Sequence, residues 1–213
     1  MNRMTPEGKA KLEELIARVM KDGQARGIAV GIVNAAGEIQ YENYFGYRDA
    51  ENRLPITRDT IFGMASVTKS FTALSIMQMQ QDGLLKVDDP VSRYIPEFTN
   101  KNQSEPVKLW HLMCHSGGYF PLPRIVVDKT AQEMGIEDSL DAELIYREDF
   151  AEEGIRRVAG RLDDQTRFTG RPGQRMSYCN DGFGLLSDIV RRHSGYGSFA
   201  EYLDKKILKP IGM

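Results

Sequence analysis

The sequence lacks the features that mark several specialised classes of protein. It holds only two cysteines among 213 residues, and neither lies in a paired-thiol or metal-knuckle spacing, which argues against a disulfide framework. No apolar run approaches the length that spans a bilayer, so we expect no membrane partner. The net charge of −2 likewise gives no reason to expect nucleic acid as a partner. No secretory leader precedes the first helix, and a cytoplasmic protein is therefore expected.

The order of the predicted elements indicates an α+β protein. Thr5 and Pro6 can begin an amphipathic helix that Gly23 can close. Two β-rich stretches follow as a hairpin that ends near Gly46, and the polar residues 47–60 are typical of a loop. Further helices are predicted over four segments: about 66–82, 108–115, 181–193 and the C-terminal residues.

The stretch between Pro121 and Gly170 is the least informative part of the sequence. It is acidic between Glu133 and Glu153 and rich in arginine after that. Such runs of charge most often form solvated faces of helices that lie over a core, and this is the interpretation we favour. A charged lid over a site is the alternative.

Ser66 and Lys69 form the first candidate site. Because they are three positions apart at the start of a predicted helix, the hydroxyl and the amine lie on one face, within reach of each other. The Ser66 N–H is among the donors at the helix N-terminus, where the macrodipole favours a developing negative charge. One helical turn would thus supply a nucleophile, its proton partner and half of an oxyanion hole. The alternative is a capping Ser66 beside a solvated Lys69.

Tyr178 and Asn180 form the second candidate site. A phenol beside a cationic amine can take the Ser66 proton and pass it to a leaving group. An Asn two residues further on can bind a substrate amide or orient the lysine. The same spacing recurs at Tyr41 and Asn43, but the predicted hairpin places Tyr41 in a core face. Tyr178 instead lies on an irregular segment before a helix, where catalytic side chains are commonly held.

Two weaker alternatives involve histidine and cysteine. His111 and His115 are four apart on a predicted helix, which is the spacing of a zinc-binding pair, yet the further ligands would have to be Cys114 or Cys179. Histidines that are satisfied at a helix-to-turn junction are the favoured interpretation, and no metal or organic cofactor is expected. Cys179 as a nucleophile has no assigned base.

Taken together, these motifs resemble those of the serine β-lactamase-related family, which includes class C β-lactamases, penicillin-binding DD-peptidases, D-aminopeptidases and esterases. The Ser-x-x-Lys element is a known motif of β-lactamases and penicillin-binding proteins, and the Tyr-x-Asn form is similar to the class C and esterase branch. The resemblance covers nearly the whole chain from Ile28 onward, apart from the acidic stretch after Tyr119. Three further segments carry it: residues 63–65, 112–118 and 209–213.

The resemblance implies a β-lactamase/DD-peptidase-like fold, in which an antiparallel sheet flanked by helices is joined to an all-helical subdomain. We expect residues 1–60 to supply the N-terminal helix and hairpin of the first part, and residues 61–213 to form the mainly helical second part. The residue roles that the resemblance implies are these: acylated nucleophile Ser66, proton partner Lys69, general base and acid Tyr178, and substrate and lysine contact Asn180.

The sequence departs from the family in its third motif, a Lys or His with a Gly two residues later on a strand beside the nucleophile. The candidates, His115-Ser116-Gly117 and His193-Ser194-Gly195, both have the character of helix-ending turns. The predicted hairpin is also only part of the family's sheet, and two strands alone are marginally stable. We therefore expect a C-terminal remainder or a second chain to complete the sheet, and this chain to be inactive alone.

The predicted function is that of a serine hydrolase that forms an acyl-enzyme on a small-molecule or peptide substrate. The resemblance implies an amide or ester, which includes a β-lactam, a D-amino-acid peptide or a carboxylic ester. A non-catalytic sensor or binding module of the same fold is the alternative. The missing third motif supports that alternative, and the intact set of four site residues argues against it.

Overall fold

The structure of the protein is a computed structural model, which describes residues 4–135 and 148–213. The chain divides into two compact units, Met1–Gly63 and Met64–Met213. The first unit contains one helix and a small antiparallel sheet, and the second is helical. In the described ranges no helix is both long and apolar enough to cross a membrane.

The first unit begins with helix α1, Pro6–Asp22. The Thr5 hydroxyl accepts a hydrogen bond from the Gly8 N–H and Pro6 takes the first helical position, which confirms the predicted N-terminus. Helix α1 packs on the sheet through Glu13, whose carboxylate accepts hydrogen bonds from the Tyr41 hydroxyl at 3.2 Å and the Asn43 amide at 3.1 Å. Tyr41 is buried, as the hairpin prediction requires.

The sheet has three antiparallel strands in the order β1-β2-β3: Gly27–Val33, Ile39–Asp49 and Leu54–Pro55. The prediction of a loop over residues 47–60, and of a single hairpin, is therefore wrong, because β2 continues to Asp49 and turns into β3. The Asp49 carboxylate stabilises that turn by accepting from the N–H groups of Glu51 and Asn52, both at 3.1 Å. Gly46 lets β2 pass close to Arg26, since a Cβ there would lie 2.2 Å from the Arg26 carbonyl oxygen.

The second unit contains most of the helices. Helices α2 and α3 are Thr68–Gln81 and Leu109–Met113. Helices α4 and α5 are Arg124–Glu133 and Glu148–Asp163. Helices α6 and α7 are Asn180–His193 and Phe199–Leu203, and a π-helical turn, Asp204–Leu208, leads into the short helix α8, Lys209–Ile211.

Helix α6 is the centre of the second unit, since it contacts α2, α3, α5 and α7. Its apolar side is buried, and burial of this kind contributes roughly 1.5–3 kcal/mol for each large aliphatic side chain. The apolar core residues of these packed helices that are 0% exposed are Ile76, Met79, Leu109, Ala159, Leu185, Leu186, Ile189 and Val190.

Two helices differ from the predicted bounds near the candidate site. Helix α2 begins at Thr68, not at residue 66, because Ser66 lies in a 3-10 turn, Ala65–Val67, that leads into it. Helix α3 ends at Met113, because His115 has a left-handed backbone with φ of 55° and cannot continue the helix. The predicted helical pairing of His111 with His115 is wrong for this reason.

The charged stretch after Pro121 forms α4 and α5 in its described parts. Glu133 of α4 accepts from Arg157 at 2.6 Å and from Arg161 at 3.1 Å, both on α5. Within the described residues this pairing agrees with charged helix faces over a core. The middle of this stretch, residues 136–147, lies outside the described residues, and the alternative of a charged lid stays untested there.

Candidate active site

Ser66 is held at a strained point of the backbone. Ala65, the residue before it, has φ of 45°, a left-handed conformation that costs an L-residue with a Cβ roughly 1–2 kcal/mol. The 3-10 turn that follows brings Lys69 of α2 back over Ser66, and the Lys69 amine donates to the Ser66 hydroxyl oxygen at 3.4 Å. The predicted reach between the two side chains is therefore present in the folded chain. Strain of this kind is commonly stored at functional sites.

Tyr178 reaches the same hydroxyl from a distant part of the chain. Its phenol donates to the Ser66 Oγ at 2.7 Å, across 112 residues of sequence. The Lys69 Nζ lies 5.0 Å from the centre of the Tyr178 ring and 5.5 Å from that of Phe183, so the ammonium also faces two aromatic rings. The hydroxyl, the amine and the phenol thus form one hydrogen-bonding group.

The electrostatic surroundings of Tyr178 favour its charged form. Hydrogen bonding to Ser66, and then to Lys69 with its positive charge, lowers the pKa of Tyr178 from its ordinary value, while slight burial opposes the shift. A lowered pKa increases the fraction of Tyr178 that is present as phenolate, which is the form that can accept a proton from a hydroxyl. Tyr178 is 42% exposed and Ser66 is exposed, so an incoming substrate can reach the reacting atoms within this unit.

The segment that carries Tyr178 is fixed by backbone hydrogen bonds to the turn after α3. The N–H groups of Thr169, Gly173 and Ser177 donate to the carbonyls of Gly118, Ser116 and His115 at 2.9, 2.8 and 2.7 Å. Gly118, with φ of 84°, permits the close approach, because a Cβ there would lie 2.7 Å from the Gly170 carbonyl oxygen. This irregular segment is thereby held by backbone-to-backbone hydrogen bonds, as a strand in a sheet is.

Comparison with known proteins now identifies the family. A sequence model of the Beta-lactamase family matches residues 12–213. The chain belongs to this family. Among curated relatives, Esterase EstB from Burkholderia gladioli is 32% identical over 209 residues, which are 96% of this chain and 50% of the esterase.

Solved structures show the same fold. The octameric penicillin-binding protein homologue from Pyrococcus abyssi superimposes with a TM-score of 0.78 at 36% identity, over 96% of this chain and 43% of that protein. A class C beta-lactamase superimposes with a TM-score of 0.71 at 22% identity, over 96% and 49% of the two chains. The predicted α+β, β-lactamase-like fold is confirmed. The chain spans about half the length of the relatives it matches.

Asn180, the fourth residue implied by the β-lactamase resemblance, is the exposed first residue of α6. It lies two residues after Tyr178, but within the described ranges no hydrogen bond joins it to Lys69 or Tyr178. Its role as a substrate contact therefore stays a prediction. The expected orienting contact with the lysine is not made by a hydrogen bond in this structure.

The third motif of the β-lactamase-related family has no strand counterpart in the described parts of the chain. His115 follows α3 and His193 is the last residue of α6, so both candidate motifs are helix-ending turns, as predicted. A ring nitrogen of His193 hydrogen-bonds the Tyr94 carbonyl at 3.0 Å, and the His193 ring packs edge-on against the Tyr94 ring. This contact ties α6 to the segment after α2.

The zinc and thiol alternatives are poorly supported by the geometry. Within residues 4–135 and 148–213, no three His, Cys, Asp or Glu side chains form a group that could hold a metal ion. The Nδ1 atoms of His111 and His115 already accept backbone N–H groups, from Lys108 at 3.0 Å and Cys179 at 3.1 Å. Burial raises the pKa of Cys179 to about 11, which suppresses the nucleophilic thiolate.

Sequence reasoning missed one residue of this site. His115 is treated by the family resemblance as part of a structural turn, whereas its ring stacks on Tyr178 with centroids 4.1 Å apart. No local pattern signals this contact, because it joins residues more than sixty positions apart. The only sequence signal is a histidine directly before a Ser-Gly-Gly turn, which is a position where a left-handed backbone is expected.

Proposed function

We propose that this chain supplies the nucleophile of a serine hydrolase that cleaves an ester or amide through an acyl-enzyme on Ser66. One observation carries the proposal: a single hydroxyl accepts hydrogen bonds from both the Lys69 amine, at 3.4 Å, and the Tyr178 phenol, at 2.7 Å. A weakly acidic hydroxyl needs a neighbouring base to become nucleophilic. The lowered pKa of Tyr178 suits it to that task.

In the proposed first half-reaction the Ser66 Oγ attacks the substrate carbonyl carbon while its proton passes to Tyr178, assisted by Lys69. The carbonyl electron pair moves to oxygen, and the Ser66 N–H, in the 3-10 turn that leads into α2, donates to the resulting oxyanion. The intermediate then collapses, and the leaving alcohol or amine takes the proton from Tyr178. In the second half-reaction water gives a proton to Tyr178 and attacks the acyl carbon. The bond from that carbon to the Ser66 Oγ then breaks, the Ser66 oxygen takes the proton back from Tyr178, and the acid is released.

The proposed substrate class is a carboxylic ester or an amide of a small molecule or peptide. The esterase at 32% identity favours an ester as the first substrate to test. A β-lactam or a D-amino-acid peptide is the amide form of the same chemistry. No cofactor takes part in the proposed reaction.

The proposed partner is polypeptide that completes the sheet, either as a C-terminal remainder or as a second chain. Strand β1 pairs with β2 along one side only within the described residues, which leaves its other edge available for another strand. Val33 and Ile39, next to that hairpin's turn, are largely exposed. The family resemblance implies that the completing polypeptide would also supply the second oxyanion donor. A cytoplasmic location belongs to the proposal and is supported by the two free cysteines.

Hydrolysis of a p-nitrophenyl ester tests the proposal in two forms of the protein. The first is this chain, and the second is a chimera in which the unmatched half of Esterase EstB follows Met213. We expect turnover in the chimera that Ser66→Ala abolishes. Ser70→Ala is the matched control, because Ser70 is an exposed serine on the helix that follows Ser66 and its loss should leave the rate within about twofold.

The alternative, a non-catalytic binding module, predicts a different result in the same proteins. It predicts no turnover and no reaction of Ser66 with a fluorophosphonate probe, even in the chimera. If the probe reacts with Ser66 but the ester is not turned over, Ser66 is supported as the nucleophile and the defect lies in deacylation. Turnover that survives Ser66→Ala would contradict the proposed site.

A further inference from the structure

One titratable side chain contacts the candidate site without belonging to its proton-transfer group. The His115 imidazole stacks on the Tyr178 ring with centroids 4.1 Å apart and planes inclined by 29°. Its other ring neighbour is Phe183 of α6, at 4.9 Å. His115 therefore fills the space between the candidate base and the central helix of the unit.

The same histidine holds the backbone on both sides of Tyr178. Its carbonyl accepts from the Ser177 N–H at 2.7 Å, and its Nδ1 accepts from the Cys179 N–H at 3.1 Å. One residue thus fixes the residue before the tyrosine, the residue after it and the tyrosine ring itself. All three contacts lie directly beside the side chain whose hydroxyl donates to Ser66.

The bond to Cys179 requires a neutral imidazole. An Nδ1 that accepts a hydrogen bond has no proton, so the ring proton must be on Nε2. Protonation would place a second donor against the Cys179 N–H and break the bond. Burial lowers the pKa of His115, and the positive charge of Lys69 on α2 adds to the shift. The other titratable groups that face this corner are the phenol of Tyr178, the thiol of Cys179 and the carboxylate of Asp181, which accepts from that thiol.

We propose that His115 is a positioning residue that, while neutral, holds the Tyr178 hydroxyl on Ser66 and, once protonated, releases it. The effect of His115 on the reaction rate of Ser66 rests on the proposed hydrolase function. Its effect on the position of the Tyr178 segment does not, and can be measured in this chain alone. Acid inactivation of the site would then begin with His115 and not with the residues that exchange protons with the substrate.

Two substitutions separate the hydrogen bond that His115 accepts from Cys179 from its ring contact with Tyr178. His115→Asn keeps a side-chain oxygen that can accept from the Cys179 N–H, and Asn tolerates the left-handed backbone with φ of 55°. It has no proton to gain in this range. His115→Phe keeps a ring against Tyr178 but lacks the acceptor. His111→Asn is the matched control, because the His111 Nδ1 also accepts a backbone N–H, from Lys108, without touching Tyr178.

The first experiment reads the Tyr178 segment directly. Because the chain has two cysteines, selective 15N-cysteine labelling gives two amide signals, and the Cys114 amide, which donates to the Trp110 carbonyl, serves as an internal reference. We expect the Cys179 amide to titrate between pH 8 and 5 with a midpoint below 6.5 in the unaltered chain and in His111→Asn. It should not titrate in His115→Asn or His115→Phe. A Cys179 amide that ignores pH, or that titrates in His115→Asn, would overturn the proposal.

The second experiment reads the rate at which a fluorophosphonate phosphonylates Ser66 in the EstB chimera. A displacement of the base by about 1 Å costs on the order of 100-fold in rate, so we expect His115→Phe to react 10- to 100-fold more slowly at pH 8. In the unaltered chimera the rate of the reaction at Ser66 should fall in acid, with the same midpoint as the Cys179 amide titration. In His115→Asn this fall in acid should be absent. An unchanged pH profile in His115→Asn would contradict the positioning role.

The two proposals fail in different ways. If Ser66 never reacts but the Cys179 amide titrates as expected, the hydrolase proposal fails and the positioning of Tyr178 by His115 stands. If Ser66 reacts but the Cys179 amide does not titrate, the hydrolase proposal stands and the role of His115 is overturned.

Discussion

At the scale of single residues, the reactivity proposed for Ser66 comes from neighbours that the chain brings to it by two different routes. Lys69 arrives through local geometry, since three positions along a helical turn bring its amine to 3.4 Å. Tyr178 arrives through tertiary structure, and its phenol makes the shorter contact of 2.7 Å. The first route can be predicted from spacing alone. The second can be predicted only as a candidate position on an irregular segment.

His115 shows what sequence reasoning cannot reach at this scale. Its two hydrogen bonds and its ring contact depend on a left-handed turn and on a segment that returns more than sixty residues later. Neither periodicity nor composition encodes that return. A motif resemblance can place the residue in a turn, but the contact with Tyr178 is visible only in the folded chain.

Replacement of Tyr178 by Phe tests the role of the phenol. Tyr178→Phe keeps the ring against His115 and removes the hydroxyl that contacts Ser66, so we expect fluorophosphonate labelling of Ser66 to slow by roughly 10²- to 10⁴-fold. Because the lost hydroxyl is exposed, the melting temperature should stay within about 2 °C. Tyr196→Phe, which alters a tyrosine packed against Tyr202, is the control. Equal labelling rates in the two variants would remove Tyr178 from the mechanism.

At the scale of elements, one buried carboxylate ties the end of α5 to the loop that supports the site. Asp163 is 3% exposed, and it accepts from the Thr99 hydroxyl at 2.7 Å and from the Asn100 N–H at 2.9 Å. The same loop reaches the turn after α3, because Gln103 donates to the Gly117 carbonyl at 2.8 Å. Support for the Tyr178 segment therefore extends back to α5.

Asp163→Asn tests this connection. An amide in place of the carboxylate turns an NH₂ group toward donors that need an acceptor, and loss of a charged buried acceptor costs about 2–3 kcal/mol. The free energy of unfolding in urea should fall by that amount. Asp164→Asn is the control, because Asp164 is an exposed neighbour whose ion pair with Lys101 at 2.8 Å contributes about 0–1 kcal/mol. Equal losses in the two variants would show that Asp163 does not anchor the loop.

The elements themselves were predicted with uneven success. The N-terminal helix and the hairpin follow from Thr5, Pro6 and an alternating pattern, and the structure agrees with both. Strand β3 escapes prediction because it has two residues, one of them proline. The start of α2 is displaced by the left-handed Ala65, which a sequence pattern that favours helix cannot reveal.

At the scale of the whole molecule, two histidines make folding sensitive to pH. Burial lowers the pKa values of His111 and His115 below the ordinary value, in each case as the largest cause. The unfolded chain therefore binds more protons than the folded chain as the pH falls below about 6.5. Stability is fully present above that pH and declines in acid until the folded histidines are also protonated.

Thermal unfolding at a series of pH values measures this decline. We expect the melting temperature to change little between pH 8 and 7 and to fall between pH 6.5 and 5. A chain with both His111→Asn and His115→Asn should start from a lower melting temperature but show a shallower fall over the same range. An equally steep fall in the double variant would assign the acid sensitivity to groups other than these histidines. The Asp89 carboxyl is one such group, and because the Tyr94 hydroxyl lowers its pKa, its effect is expected at lower pH.

Whether Ser66 is the nucleophile is decided by the position of the covalent adduct that a serine-reactive probe forms. The protein, alone and as the EstB chimera, is exposed briefly to an alkyl fluorophosphonate, digested and mapped by mass spectrometry. We expect a single adduct on the peptide that contains Ser66, which is absent in Ser66→Ala and retained in Ser70→Ala. An adduct on any other residue, or none in either form of the protein, would contradict it.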